Sequence, residues 1–345
     1  MEMNDFYGKA ETLYRIGVCM KRKKLSTLLA LVLGVTALSG CTNSDQKVNF
    51  GNFWVTDVLN TNAAIQETLS YDVTFNKGEN SLVNYEIDYK DGTYTTVLVG
   101  AKENDKIVYT YTTTLNITAV YTFNGETKEC ADVVTSTVKF YAAEYGLQPI
   151  SSEKEVNGSA PTAASATALE DCYEQFHYTT KVTYNEDCTS GTTTVTQHLT
   201  TGETKAKDSS FEIDQDKFSF LDNEQILFAL RGIRNSTTSA KMNVYNPFVA
   251  SVQKVSVTVN AETSESFSFY KNGSAEKEAY TITYRPMNLV LDETNPGAMQ
   301  TAWIAKTIDA SKNTHRNVML QLETPLSYGL GTLVYKLNSV SYQEM

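Results

Sequence analysis

Histidine is nearly missing from this 345-residue chain, which has 3, at positions 177, 198 and 315. So few and so scattered, they give a Ser-His-Asp or Cys-His catalyst little to build on. The sequence also lacks a nucleophile elbow, a His-Glu-x-x-His pair and a glycine loop able to cradle phosphate. No catalytic residues, no metal site and no cofactor are therefore expected. Basic residues are in deficit, 29 against 40 acidic, for a net charge of −11. That deficit argues against nucleic acid, whose phosphate backbone needs a basic footprint. Proline is scarce as well, at 6. Long apolar runs are rarer still: there is one, Leu25 to Leu38.

That run has about fourteen residues, short of the ~20 a membrane helix needs but suited to the apolar region of a signal peptide. Lys21, Arg22, Lys23 and Lys24 stand directly before it. It ends in Leu38-Ser39-Gly40-Cys41, which resembles the lipobox of bacterial lipoproteins. The resemblance implies diacylglyceryl transfer to the Cys41 thiol and cleavage before that residue. Met20 opens a signal peptide of ordinary proportions over 20–40, so residues 1–19 read as an over-extended start. Without residues 1–41 the chain keeps 23 basic and 37 acidic residues, a net charge of about −14. A surface so acidic is repelled by anionic lipid, so the membrane partner is reached through the diacylglyceryl anchor; two acyl chains suffice for stable attachment. The expected location is extracytoplasmic, tethered by 41–52 to the cell membrane.

What is abundant points to strands. There are 45 Thr and 21 Tyr, residue types that fit a pleated, half-buried surface. Over 107–123, Ile107, Tyr109, Tyr111, Leu115, Ile117, Ala119, Tyr121 and Phe123 alternate with Thr110, Thr112, Thr114, Thr118 and Thr122. Seventeen residues at ~3.3 Å each span roughly 56 Å, about three times a usual strand, so the strand must bend. Asn124-Gly125 predicts a tight hairpin. Pairing across it sets Cys130 against Ala119, Val134 against Leu115, Val138 against Tyr111 and Phe140 against Tyr109. Asp132 then falls opposite Ile117, a carboxylate on an apolar face. Asp91-Gly92 predicts a second hairpin, with Tyr89 against Tyr94 and Tyr85 against Leu98. Further alternation lies at 176–184, 255–259, 280–284 and 333–337. The small, polar stretch 157–168 reads as an exposed loop between two halves of one domain over 53–345.

One segment departs from this pattern. In Leu221 to Ile233, Asp222 can cap a helix, Gln225 completes a capping box, and Gly232 can end it. A weaker helix is read within Thr56 to Glu67. The fold class expected is mainly β: a strongly curved antiparallel sheet or incomplete β-barrel with one or two short helices.

Leu147-Gln148-Pro149-Ile150, the helix from Asp222-Asn223-Glu224 to Leu230-Arg231, the strands near 257–269 and 280–284, and Ala302-Trp303-Ile304 together resemble bacterial envelope proteins of unknown function related to the LolA and LppX lipoprotein carriers. The resemblance spans roughly 67–340 and implies an incomplete barrel with a helical lid over an apolar cavity. The inward face read from the alternation gives the residues that would line it: Tyr109, Tyr111, Leu115, Ile117, Tyr121, Val134, Val138 and Phe140.

The remaining chemistry-bearing residues read quietly. Past Cys41 there are three cysteines, an odd number that speaks against a full disulfide framework. About 50 Å of extended chain would part Cys172 from Cys188, far beyond bonding reach; the spacing allows a Cys130–Cys172 bond. Cys172, His177, Cys188 and His198 lack the close chelating pairs of a zinc site, and the histidines, His315 included, read as solvated. Asp208, Glu212, Asp214, Asp216, Asp222 and Glu224 read as a solvated acidic edge. Trp54, Trp303 and the tyrosines suit either an apolar cavity or a sugar platform. The leading expectation is a lipid-anchored, non-enzymatic carrier or binding protein enclosing a hydrophobic small molecule or lipid. A surface adhesion or glycan-binding module, and then an extracytoplasmic hydrolase, stand as alternatives.

Overall fold

The computed structural model describes residues 64–79, 81–143, 146–162, 165–213, 220–233, 238–291, 300–306 and 317–345. The signal peptide, Cys41, the tether, Trp54, Asp214, Asp216 and His315 lie outside the described residues.

Among the described residues, sixteen strands join into one sheet. The first five are long: β1 (Ile65–Lys77), β2 (Glu86–Glu103), β3 (Lys106–Phe123), β4 (Glu126–Ala143) and β5 (Gly146–Pro161). Then come β6 (Tyr173–Tyr184), β7 (Ser190–His198), β8 (Thr204–Glu212) and the short β9 (Phe220–Asp222). The last seven are β10 (Ser239–Asn246), β11 (Ser251–Val259), β12 (Thr263–Lys271), β13 (Glu278–Leu291), β14 (Gln300–Ala305), β15 (Met319–Pro325) and β16 (Gly331–Glu344).

Strands β1 to β8 lie side by side as successive antiparallel neighbours, and β1 also pairs with β16. From β16 the sheet continues through β15, β14 and β13 to β11, β10 and β9. Strand β12 pairs antiparallel with β13 and parallel with β16. Strands β12 to β16 therefore close into a five-stranded barrel, which removes their free edges. The two far ends of the sheet meet through side chains instead of a ladder. Phe211 of β8 stacks on Tyr245 of β10 with ring centroids 3.7 Å apart, and Thr193 of β7 shares a 2.7 Å hydrogen bond with the Tyr245 hydroxyl. The result is mainly β: a closed five-stranded barrel with the further strands of the same sheet outside it.

The Asn124-Gly125 turn forms as its residues dictate, with φ of 50° and 85°. The β3–β4 register matches the expected one at every pair, from Cys130 opposite Ala119 to Phe140 opposite Tyr109, with Asp132 opposite Ile117. Thr112 and Thr137 face outward and share a 3.0 Å hydrogen bond across the strands.

Asp91-Gly92 does not turn the chain. Strand β2 runs straight through it, and Tyr89 and Tyr94 lie in the same strand, opposite Ala119 and Leu115. The register slips between Lys90 and Thr93, so the pair makes a β-bulge. Asp91 takes the positive φ (54°), and Gly92 lets β1 approach so closely that a Cβ there would sit 2.5 Å from the Val73 carbonyl oxygen. The hairpin into β3 is made by Asn104 and Asp105, both at positive φ. The stretch 157–168 is likewise not one exposed loop. Strand β5 continues to Pro161, paired with β6, and Ser159 and Ala160 are fully buried. Finally, most of the helix read within Thr56 to Glu67 lies outside the described residues, and at its end β1 takes over. Ile65, Glu67, Leu69, Tyr71 and Val73 face inward in alternation, so strand periodicity begins by residue 65.

Candidate functional site

The inward faces of β1 to β5 form an apolar concavity. Of the eight residues expected to line it, Tyr109, Tyr111, Leu115, Ile117, Tyr121, Val138 and Phe140 have at most 5% of their surface exposed, and Val134 is half-buried. Into this concavity the segment after β9 projects one short helix, α1 (Ile226–Ala229), with a 3-10 turn on either side. Phe228 lies inside it, its ring 5.3 to 6.2 Å from those of Phe140, Tyr111 and Tyr109. The segment 220–233 thus plugs the curved sheet.

Its entry is fixed by Asp222. One carboxylate oxygen accepts from the Glu224 amide at 2.8 Å, and Gln225 returns the favour by accepting from the Asp222 amide at 2.8 Å. That is the reciprocal capping box the sequence encodes. The other oxygen accepts from Ser152 at 2.7 Å and Tyr184 at 2.6 Å. Burial pushes this carboxyl up to about 6, with the Glu224 charge adding to the rise and the two hydroxyls opposing it. Asp222 is therefore no part of a solvated acidic edge. Neither is Glu224, whose nearly buried side chain pairs with Lys154 at 3.2 Å. Gln225 also donates to the Leu147 carbonyl at 3.0 Å, so the plug is tied to β5 at three points.

Its exit is held differently. Arg231 donates from both terminal nitrogens to Glu67 of β1, at 2.6 and 3.1 Å, and both side chains are buried. The Arg231 carbonyl accepts from Asn317 at 2.7 Å and the Ile233 carbonyl from Arg285 at 2.8 Å. The buried pair escaped the sequence reading, although Glu67 sits in phase with Ile65, Leu69 and Tyr71, where a carboxylate is out of place unless paired.

A third buried carboxylate, after Asp222 and Glu67, answers the anomaly at Asp132. The β4–β5 ladder stops at Val133 and Asn157, and beyond it Asp132 takes over, accepting from the Ser159 amide at 2.7 Å and from its hydroxyl at 3.0 Å. Tyr121 and Ser159 hydroxyls lie 3.2 Å apart. Burial raises the Asp132 carboxyl to about 7, partly offset by the Ser159 bonds. Cys130 and Cys172 are both buried free thiols, so the bond their spacing allows does not form. Burial raises both thiols, which makes them poor nucleophiles.

The β6–β7 register brings His177 opposite His198, their rings stacked at 4.1 Å, with Glu155 2.8 Å from the His177 Nε2. The twenty residues between them in sequence are closed by a hairpin. Among the described residues, no group of three His, Cys, Asp or Glu side chains could hold a metal ion. Trp303 is half-buried and stacks on Tyr284 at 5.0 Å.

No family model matches the chain, and no curated protein does. Among solved structures it is similar to a β-barrel-like protein of domain of unknown function DUF1849 from Brucella abortus, at 9% identity and a TM-score of 0.46. The match covers 81% of this chain and 98% of that one.

Proposed function

We propose that this protein is a non-catalytic carrier or binding protein that takes a hydrophobic ligand, such as a lipid, between its curved sheet and the 220–233 plug. The observation that carries this reading is Phe228, a lone ring set among Tyr109, Tyr111 and Phe140 in the concavity. A segment with one helical turn, tied down at its two ends, fills a space that a regular element would otherwise fill. With the plug seated, the sheet residues beneath it have almost no open surface, so the ligand replaces the plug in the concavity. The ties support this. Residues 220–222 are held to β10 by a three-residue ladder. Residues 223–233 are held by capping bonds, other side-chain hydrogen bonds and the Lys154–Glu224 and Arg231–Glu67 ion pairs, which can be exchanged while that ladder stays in place.

In this reading Cys41 carries the diacylglyceryl anchor, and the domain works outside the cytoplasm at the membrane surface. The glycan-platform alternative draws little support from the surface: among the described residues the strongly exposed large hydrophobics are Leu82, Val133 and Met345, none of them aromatic. The hydrolase alternative fares similarly, since Glu67, Asp132 and Asp222 are each committed to Arg231, Ser159 or the plug cap.

Native mass spectrometry of the full chain, purified in mild detergent, is expected to show a co-purified hydrophobic molecule. A single unliganded mass, with no uptake of the apolar fluorophore N-phenyl-1-naphthylamine, would overturn the proposal.

A further inference from the structure

A line of buried phenols runs through the interior from the plug's ion pair to Asp132. Tyr71 and Tyr111 lie beside Arg231 and Glu67, close enough for those charges to act on both hydroxyls. Tyr71 and Tyr94 rings are 5.6 Å apart, and Tyr94 and Tyr335 rings 5.5 Å apart. Tyr335 and Asp132 in turn both act on Tyr89, and Tyr89 acts on Tyr121. Strands β1, β2, β3 and β16 all contribute, so the line exists only once the sheet has curled.

Most of these hydroxyls are satisfied. Tyr71 donates to the Met319 carbonyl at 2.9 Å, Tyr94 bonds Thr113, Tyr111 bonds Thr96, and Tyr121 meets Ser159. In the middle of the line two are not: the Tyr89 and Tyr335 hydroxyls are buried and, among the described residues, have no hydrogen-bond partner. Tyr89 is 7% exposed and Tyr335 1%. A buried polar group left unpaired is a net loss to the fold, and phenylalanine would avoid it at both positions. Two such phenols facing one interior call for a partner that the described residues do not supply.

We propose that Tyr89 and Tyr335 bind the uncharged polar group, a hydroxyl or ester carbonyl, of an otherwise apolar ligand. This rests on the apolar-ligand reading above and adds to it where the ligand's oxygen sits. The neighbours set the chemistry. Leu115, Ile117 and Val73 around the line offer nothing to solvate a charge. An anionic headgroup would meet Asp132, and the Asp132 oxygens are already engaged by Ser159. A neutral oxygen can accept from one phenol and, if it is a hydroxyl, donate to the other.

The test is displacement of N-phenyl-1-naphthylamine from the full chain in mild detergent by two competitors of equal chain length, dodecane and 1-dodecanol. The native protein is expected to prefer the alcohol by about three- to tenfold, the worth of roughly one net hydrogen bond. Tyr89→Phe with Tyr335→Phe should erase that preference while leaving dodecane unaffected. The same double variant, without ligand, should melt no lower than the native protein, because it loses only unpaired hydroxyls. Equal displacement by both competitors in the native protein overturns the inference and leaves the carrier reading standing. So does an alcohol preference that survives the double variant. No binding of the fluorophore at all overturns both.

Discussion

Arg231 and Glu67 form a two-pronged ion pair inside the protein, with nitrogen–oxygen distances of 2.6 and 3.1 Å and side chains only 4% and 1% exposed. The pair joins the end of the plug to the first long strand, 164 residues earlier. Its removal should be asymmetric. Glu67→Ala leaves a buried guanidinium without its carboxylate, which typically costs about 3–5 kcal/mol. Replacing both, as Glu67→Leu with Arg231→Met, exchanges the pair for apolar packing and should recover most of that loss. Urea midpoints of the three proteins decide the matter: a double variant as weak as the single one would show that the pair matters for more than neutralising charge.

Cys41 is expected to carry the membrane attachment. In the proposed reading an acidic domain has no electrostatic route onto anionic lipid, so attachment would rest on the acyl chains. Cys41→Ser should move the protein from the membrane to the soluble fraction, or leave an unprocessed precursor of higher mass. Unchanged fractionation and unchanged mass would refute the anchor.

How far the sequence could be read depended on the range of each interaction. Alternation in 107–123 and the Asn124-Gly125 turn are local, and together they set the β3–β4 register correctly. The Asp222–Gln225 capping box spans three residues and was equally visible. Asp91-Gly92 misled because positive φ serves a bulge as well as a turn, and only the approach of Val73 from another strand decides between them. Stretch 157–168 misled because its small residues are small for packing: Ser159 and Ala160 lie under other strands. The plug's ion pair and the line of phenols depend on strands far apart in sequence, and the His177–His198 stack on the exact register of the β6–β7 hairpin. Composition records them only as a charge out of phase or an excess of tyrosine.

Phe228 offers a direct probe of the plug. Its ring is fully buried and touches three aromatic neighbours. Phe228→Ala should lower unfolding stability by about 3–5 kcal/mol, from lost transfer energy plus the void left behind. If the concavity takes apolar ligands, the same variant should bind N-phenyl-1-naphthylamine more tightly than the native protein, because the competing ring is gone. Destabilisation with no gain in fluorophore binding would mark Phe228 as ordinary core.

Asp132 should make the fold more stable in mild acid. Its carboxyl rises to about 7 when buried, against an ordinary value of 3.8. The folded protein therefore binds a proton at pH values where the unfolded chain has released it. The resulting stability is fully present below the unfolded value and is lost as pH rises from about 4 through about 7. Asp222, raised to about 6, acts in the same direction over the lower part of that window. A rise of about three pKa units corresponds to at most about 4 kcal/mol. Urea unfolding at pH 5 and pH 7.5 should therefore give a higher midpoint at pH 5. Asp132→Asn keeps an oxygen for the Ser159 amide but cannot ionise, so it should flatten much of the difference and be at least as stable as the native protein at pH 7.5. A native protein that weakens steadily from pH 7.5 to pH 5, with the asparagine variant following in parallel, would show that Asp132 is ionised in the fold throughout.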